Sequence, residues 1–202
     1  MRFQKCVQSL LILLGTLSWG NSYGQKSSGS MLGSRATKLR VMGLVAGRAL
    51  TEHAVLLEVI LENPTSLKKN SLDSLSESEF SRAFEKVVTQ RMIIEDLKIL
   101  GDGLSSQDLV NDELKRLKTT LGSKVYAQVL KDFEITEQNL RERISQRLQV
   151  ERALQEKVNL AVNTQGDKQD KASRESIAKK AIEEWLGQLK SRYRIQIFRT
   201  DD

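Results

Sequence analysis

Two short stretches decide how this chain folds: Leu39-Arg40-Val41-Met42-Gly43-Leu44-Val45-Ala46 near its beginning and Arg194-Ile195-Gln196-Ile197-Phe198 near its end. The first carries apolar side chains on both faces, the pattern of a buried strand, with Gly47-Arg48 as the turn that follows. The second alternates apolar and polar with period two. A lone strand is unstable in water, so each needs a partner, and the economical arrangement pairs the two with each other. That pairing brings the ends of the domain together.

Between them the sequence reads as helix. Thr51 is placed as an N-cap, with Leu50 and Val55 as a hydrophobic staple, for a helix carrying Val55, Leu56, Val59 and Ile60 and stopping at Asn63-Pro64. Thr65 to Leu75 is a polar loop. Ser76 with Glu79 has capping-box spacing and opens a helix bearing Phe80, Phe84, Val87, Val88, Met92, Ile94 and Leu97. Its apolar positions wrap more than one face, which makes it the central helix. Gly101-Asp102-Gly103 ends it, and Ser105 with Asp108 caps a stripe of Val110, Leu114, Leu117 and Leu121. After Gly122 comes a short helix with Tyr126, Val129, Leu130 and Phe133. Thr136 then starts a long helix with Leu140, Ile144, Leu148, Leu154 and Val158. Asn159 to Ala172 has linker composition, and a last helix places Ala178, Ile182, Trp185 and Leu189 on one stripe. The expected fold is therefore mainly α, five to six helices closed by a short two-stranded β pairing of the N- and C-terminal strands.

Composition agrees. The chain has 202 residues, 39% apolar and only 5% aromatic, with one proline, one cysteine and one histidine. Such figures exclude a disulfide scaffold and a Cys/His zinc site, and they weigh against an all-β sandwich. Residues 1–24 read as an export signal: Arg2 and Lys5 form a basic start, Val7 to Leu17 a mainly apolar run, and Ser22 and Gly24 the small residues that direct cleavage after Gly24, with Gly20 as a second candidate. The run is too short to span a bilayer, so no stable membrane insertion is expected. Cys6 leaves with the signal, which removes any thiol chemistry, and 30 basic residues then face 26 acidic ones. Residues 25–37 form a flexible Gly/Ser-rich leader, and residues 38–199 a single helical domain. The expected location is the periplasm, with secretion as the second choice.

A resemblance rests on the order of these segments. Val41-Met42-Gly43-Leu44-Val45-Ala46-Gly47, followed by Leu50-Thr51-Glu52, resembles the opening of the N-terminal domain of SurA-type periplasmic chaperones, a segment of the type V-V-N-G…I-T-x-x-E. Here Ala46 stands where that family has asparagine, and His53-Ala54 depart from its acidic position. Gly103-Leu104-Ser105-x-x-Asp108, then Ile135-Thr136-Glu137-x-x-Leu140-Arg141-x-x-Ile144, and finally Trp185-Leu186-x-x-Leu189 with Ile195-Gln196-Ile197 are similar to later runs of the same family. The likeness spans roughly residues 39 to 198. It implies the peptide-binding fold that SurA shares with trigger factor. The prolyl-isomerase domains would be inserted where this chain has only residues 159–172, so the resemblance implies a chaperone core without isomerase activity.

Catalytic chemistry is hard to assemble from these residues. His53 is the sole imidazole and sits in the first turn of a helix; Ser66-Leu67-Lys68-Lys69 matches Ser-x-x-Lys but falls in a loop without partner motifs. No enzyme, metal or cofactor is expected. The cluster Arg141, Arg143, Arg147 and Arg152 reads as a solvated face paired with Glu137, Glu142 and Glu151, and an exported chain has no nucleic acid to meet. The function expected is an ATP-independent holdase for unfolded outer-membrane or secreted polypeptides, gripping them in an apolar helical cradle. Phe80, Phe84, Met92, Tyr126, Val129, Phe133, Leu140 and Ile144 are the candidate client-binding residues, Met92 and the aromatics giving adaptable contacts. The alternative is a structural or adaptor subunit of an envelope assembly, including a homodimer formed by exchange of the end strands.

Overall fold

Ala46 and Gly47 reverse the chain with both φ angles positive, 53° and 76°, the backbone of a two-residue hairpin turn. They join β1 (Val41–Val45) to β2 (Arg48–Thr51) in antiparallel register, Val45 opposite Arg48 and Gly43 opposite Leu50, with an irregularity between Val41 and Gly43. The computed structural model describes residues 40–62, 64, 77–100, 106–132, 134–164 and 171–198. The stretches read as export signal and leader, the loop at 65–75, Ser76, Gly101 to Gly103, Ser105 and Phe133 lie outside them.

Six helices follow among the described residues: α1 (Glu52–Glu62), α2 (Glu77–Leu100), α3 (Gln107–Leu121), α4 (Ser123–Asp132), α5 (Glu137–Thr164) and α6 (Lys171–Arg192). The chain closes with β3 (Ile195–Ile197), which pairs antiparallel with β1, Gly43 opposite Ile197 and Val45 opposite Ile195. The expected pairing of the two ends is present, in a mainly helical fold. The sheet has one more strand than expected, because β2 takes up the residues read as a turn and helix approach; its order is β2-β1-β3. Gly43 lets β3 come this close, since a Cβ there would stand 2.5 Å from the Gln196 carbonyl oxygen.

The local signals behave as their chemistry dictates. The Thr51 hydroxyl accepts from the Ala54 amide at 3.3 Å and so caps α1. At α5 the Thr136 Oγ1 accepts from the Asn139 amide at 3.1 Å, while the Asn139 side chain accepts from the Thr136 amide at 3.0 Å, a reciprocal cap. Before α3 the cap falls on Ser106, one residue later than expected, and its side chain makes no capping bond. The linker is shorter than its composition suggested: α5 continues to Thr164 and α6 begins at Lys171, because Leu160-Ala161-Val162 are helix-competent residues that extend a helix already nucleated.

Buried side chains gather in two cores. One joins β1 and β2 to α2, α6 and the later half of α5, through Val45, Leu50, Phe84, Met92, Ile93, Val150, Leu154, Ile182, Trp185 and Leu189. The other joins α3, α4 and the early half of α5 through Val110, Leu114, Leu117, Leu121, Tyr126, Val129, Leu140 and Ile144. Helix α1 serves both, giving Val55 and Val59 to the first and Leu57, Ile60 and Leu61 to the second. As expected, α2 is central and buried on several faces.

Candidate functional site

The predicted cradle residues do not form an open surface. Phe84, Met92, Tyr126, Val129, Leu140 and Ile144 are all buried, and Phe80 is half-buried against the first core. They also divide between the cores: Phe80, Phe84 and Met92 in the first, Tyr126, Val129, Leu140 and Ile144 in the second. The described candidates are thus packed inside the protein. Each stripe that sequence offers to a client is consumed by a neighbouring helix of the same chain, because a bundle that left them bare would forfeit the burial that holds it together. Tyr126 is tied down further: its hydroxyl lies 3.2 Å from Glu137, which also meets Lys118 at 2.7 Å. Desolvation and the Glu137 carboxylate push its phenol up to about 12.

Where α1, α2 and α5 cross, between the two cores, the structure gathers polar groups instead. Glu58 is fully buried on α1. Arg143 Nη2 reaches its Oε2 at 2.9 Å, and Lys86 Nζ reaches Oε1 at the same distance. The Gln90 amide donates to Oε1 at 3.0 Å and accepts in turn from Arg143. Desolvation raises the Glu58 pKa, yet Arg143, Lys86 and Arg147 together outweigh it and hold the group down at about 2. So strongly stabilised a carboxylate is a poor general base; its role is to neutralise cations drawn inside. The Nε of Arg143 and one terminal nitrogen of Arg147 are buried without a hydrogen-bond partner among the described residues.

Sequence reasoning missed this junction. It gave Glu58 no role and placed Arg143 among solvated arginines, and the second placement is corrected here, since Arg143 is buried. Two expected pairings are present, Arg141 with Glu137 and Arg147 with Glu151, each one turn apart, while Arg152 pairs with Glu156. A signal was available, since Glu58 sits inside the run Val55 to Leu61 and Arg143 adjoins the Leu140–Ile144 stripe. Asp96 is a second buried carboxylate, bonded to Arg192 and so fastening α2 to the end of α6.

Apolar surface does reach water at the end of the sheet. Val41, Ile197 and Phe198 are 40%, 40% and 43% exposed. Ile197 stands opposite Gly43, and the Phe198 amide donates to the Met42 carbonyl at 2.9 Å, so the three lie within a residue or two along one end of the ladder. Ile99, Leu109 and Leu160 are also exposed. His53 sits in the first turn of α1, Ser66 lies outside the described residues, and no group of His, Cys, Asp and Glu among the described residues could hold a metal ion. No helix among them is long and apolar enough to cross a membrane.

Compared with known proteins, the chain matches no family model, no curated protein and no solved structure.

Proposed function

We propose that this chain is an exported, ATP-independent holdase of the SurA type, lacking prolyl-isomerase activity, that binds unfolded outer-membrane or secreted polypeptides. One observation carries the reading: the last strand, β3, lies beside the first, β1, with the whole helical body between them. This is the closure that the ordered resemblance to the SurA N-terminal domain calls for. The turn lends support. Asn-Gly is the dipeptide most suited to a hairpin with two positive φ angles, and it is what that family carries where this chain has Ala46-Gly47.

Because the helical stripes are used internally, client contact falls on surface that remains exposed or on a core that opens. The test is light scattering. Mature protein at stoichiometric amounts should slow the aggregation of an unfolded outer-membrane protein without nucleotide, and should crosslink to it. Neither slowing nor crosslinking would end the holdase reading. The filled interior favours a second one, a structural or adaptor subunit with a single dedicated partner. A single stoichiometric partner in a periplasmic pull-down, in place of a spread of clients, would select that subunit.

A further inference from the structure

The outer side of β3 carries the next step. In the antiparallel ladder Ala46 donates to the Arg194 carbonyl at 3.1 Å and Phe198 donates to the Met42 carbonyl. Residues 194 and 198 thus direct their backbone groups toward β1, and by alternation Ile195 and Ile197 direct theirs away from it. Among the described residues β3 has no strand on that far side. Exposed edges are normally guarded by lysine, proline or a bulge. The three residues of β3, Ile-Gln-Ile, contain neither lysine nor proline. At one end of this edge stand the exposed Ile197 and Phe198, with the exposed Val41 behind them on β1, and at the other the exposed Arg194, which has no ion-pair partner among the described residues.

We propose that the outer edge of β3 is a docking strand for an extended polypeptide segment of alternating apolar and polar residues, with an acidic residue beside Arg194. The backbone amides and carbonyls of Ile195 and Ile197 dictate an extended occupant, because only another strand can satisfy that spacing. Ile197 and Phe198 select apolar side chains at one end, and Arg194 selects a carboxylate at the other. A second copy of this chain fits less well. Paired antiparallel about Gln196, it would set its own Phe198 opposite Arg194, so that no carboxylate meets the guanidinium. The inference rests on the holdase reading and gives it a contact site, the outer edge of β3.

The probe is a fluorescein-labelled decapeptide of alternating valine and threonine ending in glutamate, compared with the same peptide ending in lysine. Binding is followed by anisotropy, and amide exchange is read at Ile195 and Ile197. The glutamate peptide should bind, slow exchange at both amides, and lose at least tenfold in affinity to Ile197→Pro. That substitution removes an outward donor and leaves the ladder to β1 intact. Arg194→Glu should reverse the preference in favour of the lysine peptide. Unchanged exchange at Ile195 and Ile197 would overturn the proposal, and so would sedimentation showing a dimer that protects both amides without peptide. Light scattering separates the two levels: a wild type and Ile197→Pro variant that suppress aggregation equally would sink the edge and spare the holdase, whereas a wild type inert in scattering but protected by the peptide would do the reverse.

Discussion

The two cores of this molecule are built on different principles. Apart from three side chains of α1, the second draws all its residues from one continuous stretch, Val110 to Ile144, so it assembles from near neighbours in sequence. The first reaches from Val45 to Leu189 and exists only when α6 and β3 return from the end of the chain. Between them sits neither core but the Glu58, Gln90 and Arg143 junction. One half can therefore order locally while the other depends on closure of the ends, and a charge network fixes how the halves meet. Cooperative units of unequal stability follow from such an arrangement.

Breaking the junction should have the largest effect. Glu58→Gln leaves Lys86 able to pair with Glu62 at 2.5 Å, but it strands Arg143, so stability to urea should fall by about 3–5 kcal/mol. Pairing Glu58→Leu with Arg143→Met should restore most of that loss, since an apolar pair has no desolvation cost to recover. A Glu58→Gln protein within about 0.5 kcal/mol of wild type would mean that the network does not couple the cores. The cores themselves are distinguished by Met92→Ala in the first and Leu114→Ala in the second, each costing about 2–5 kcal/mol. Amide exchange should accelerate throughout the protein in the first variant. In the second it should accelerate in α3, α4 and the early half of α5. The same profile in both would erase the distinction.

Acid acts on the junction and not on the cores. Glu58 has its pKa lowered from 4.5 to about 2, so the folded state binds its proton less readily than the unfolded chain does. Its stabilisation is therefore complete above about pH 4.5 and disappears as pH falls through 2, a loss of roughly 3 kcal/mol. Urea titrations across that window should show this slope in wild type and a shallower one in the Glu58→Leu, Arg143→Met double variant, with the other carboxylates common to both. Equal slopes would place the acid sensitivity elsewhere.

How far the fold was legible depended on whether a signal was local. The α3 stripe, the Thr51 and Thr136 caps and the wrapped apolar surface of α2 all depend on residues within a few turns, and each was visible. The strand β2 was not, because Arg48-Ala49-Leu50-Thr51 is too short for period two to register and contains a weak strand former. Nor could periodicity say whether an apolar stripe meets a neighbour or a client. Phe84 and Tyr126 look alike to either reading until the partner helix is placed. Buried charges fail for the same reason: Arg143 belongs inside only because Glu58, 85 residues away, comes to meet it.

The smallest effect probes the seam on which closure of the first core begins. Ala46 holds φ at 53°, a conformation that costs an alanine about 1–2 kcal/mol because its Cβ crowds the following carbonyl. Asparagine tolerates it through local hydrogen bonding, and Asn-Gly is a preferred hairpin pair. Ala46→Asn should therefore stabilise the protein by about 0.5–1 kcal/mol, a rise of roughly 1–4 °C in Tm. Because β1 lies between β2 and β3, the gain should appear as slower exchange in the first core, with little change in α3 and α4. A gain confined to the hairpin amides would show that the turn closes independently of the strand that returns to it, and a loss would show that the backbone at 46 is shaped by β3 and not by the turn.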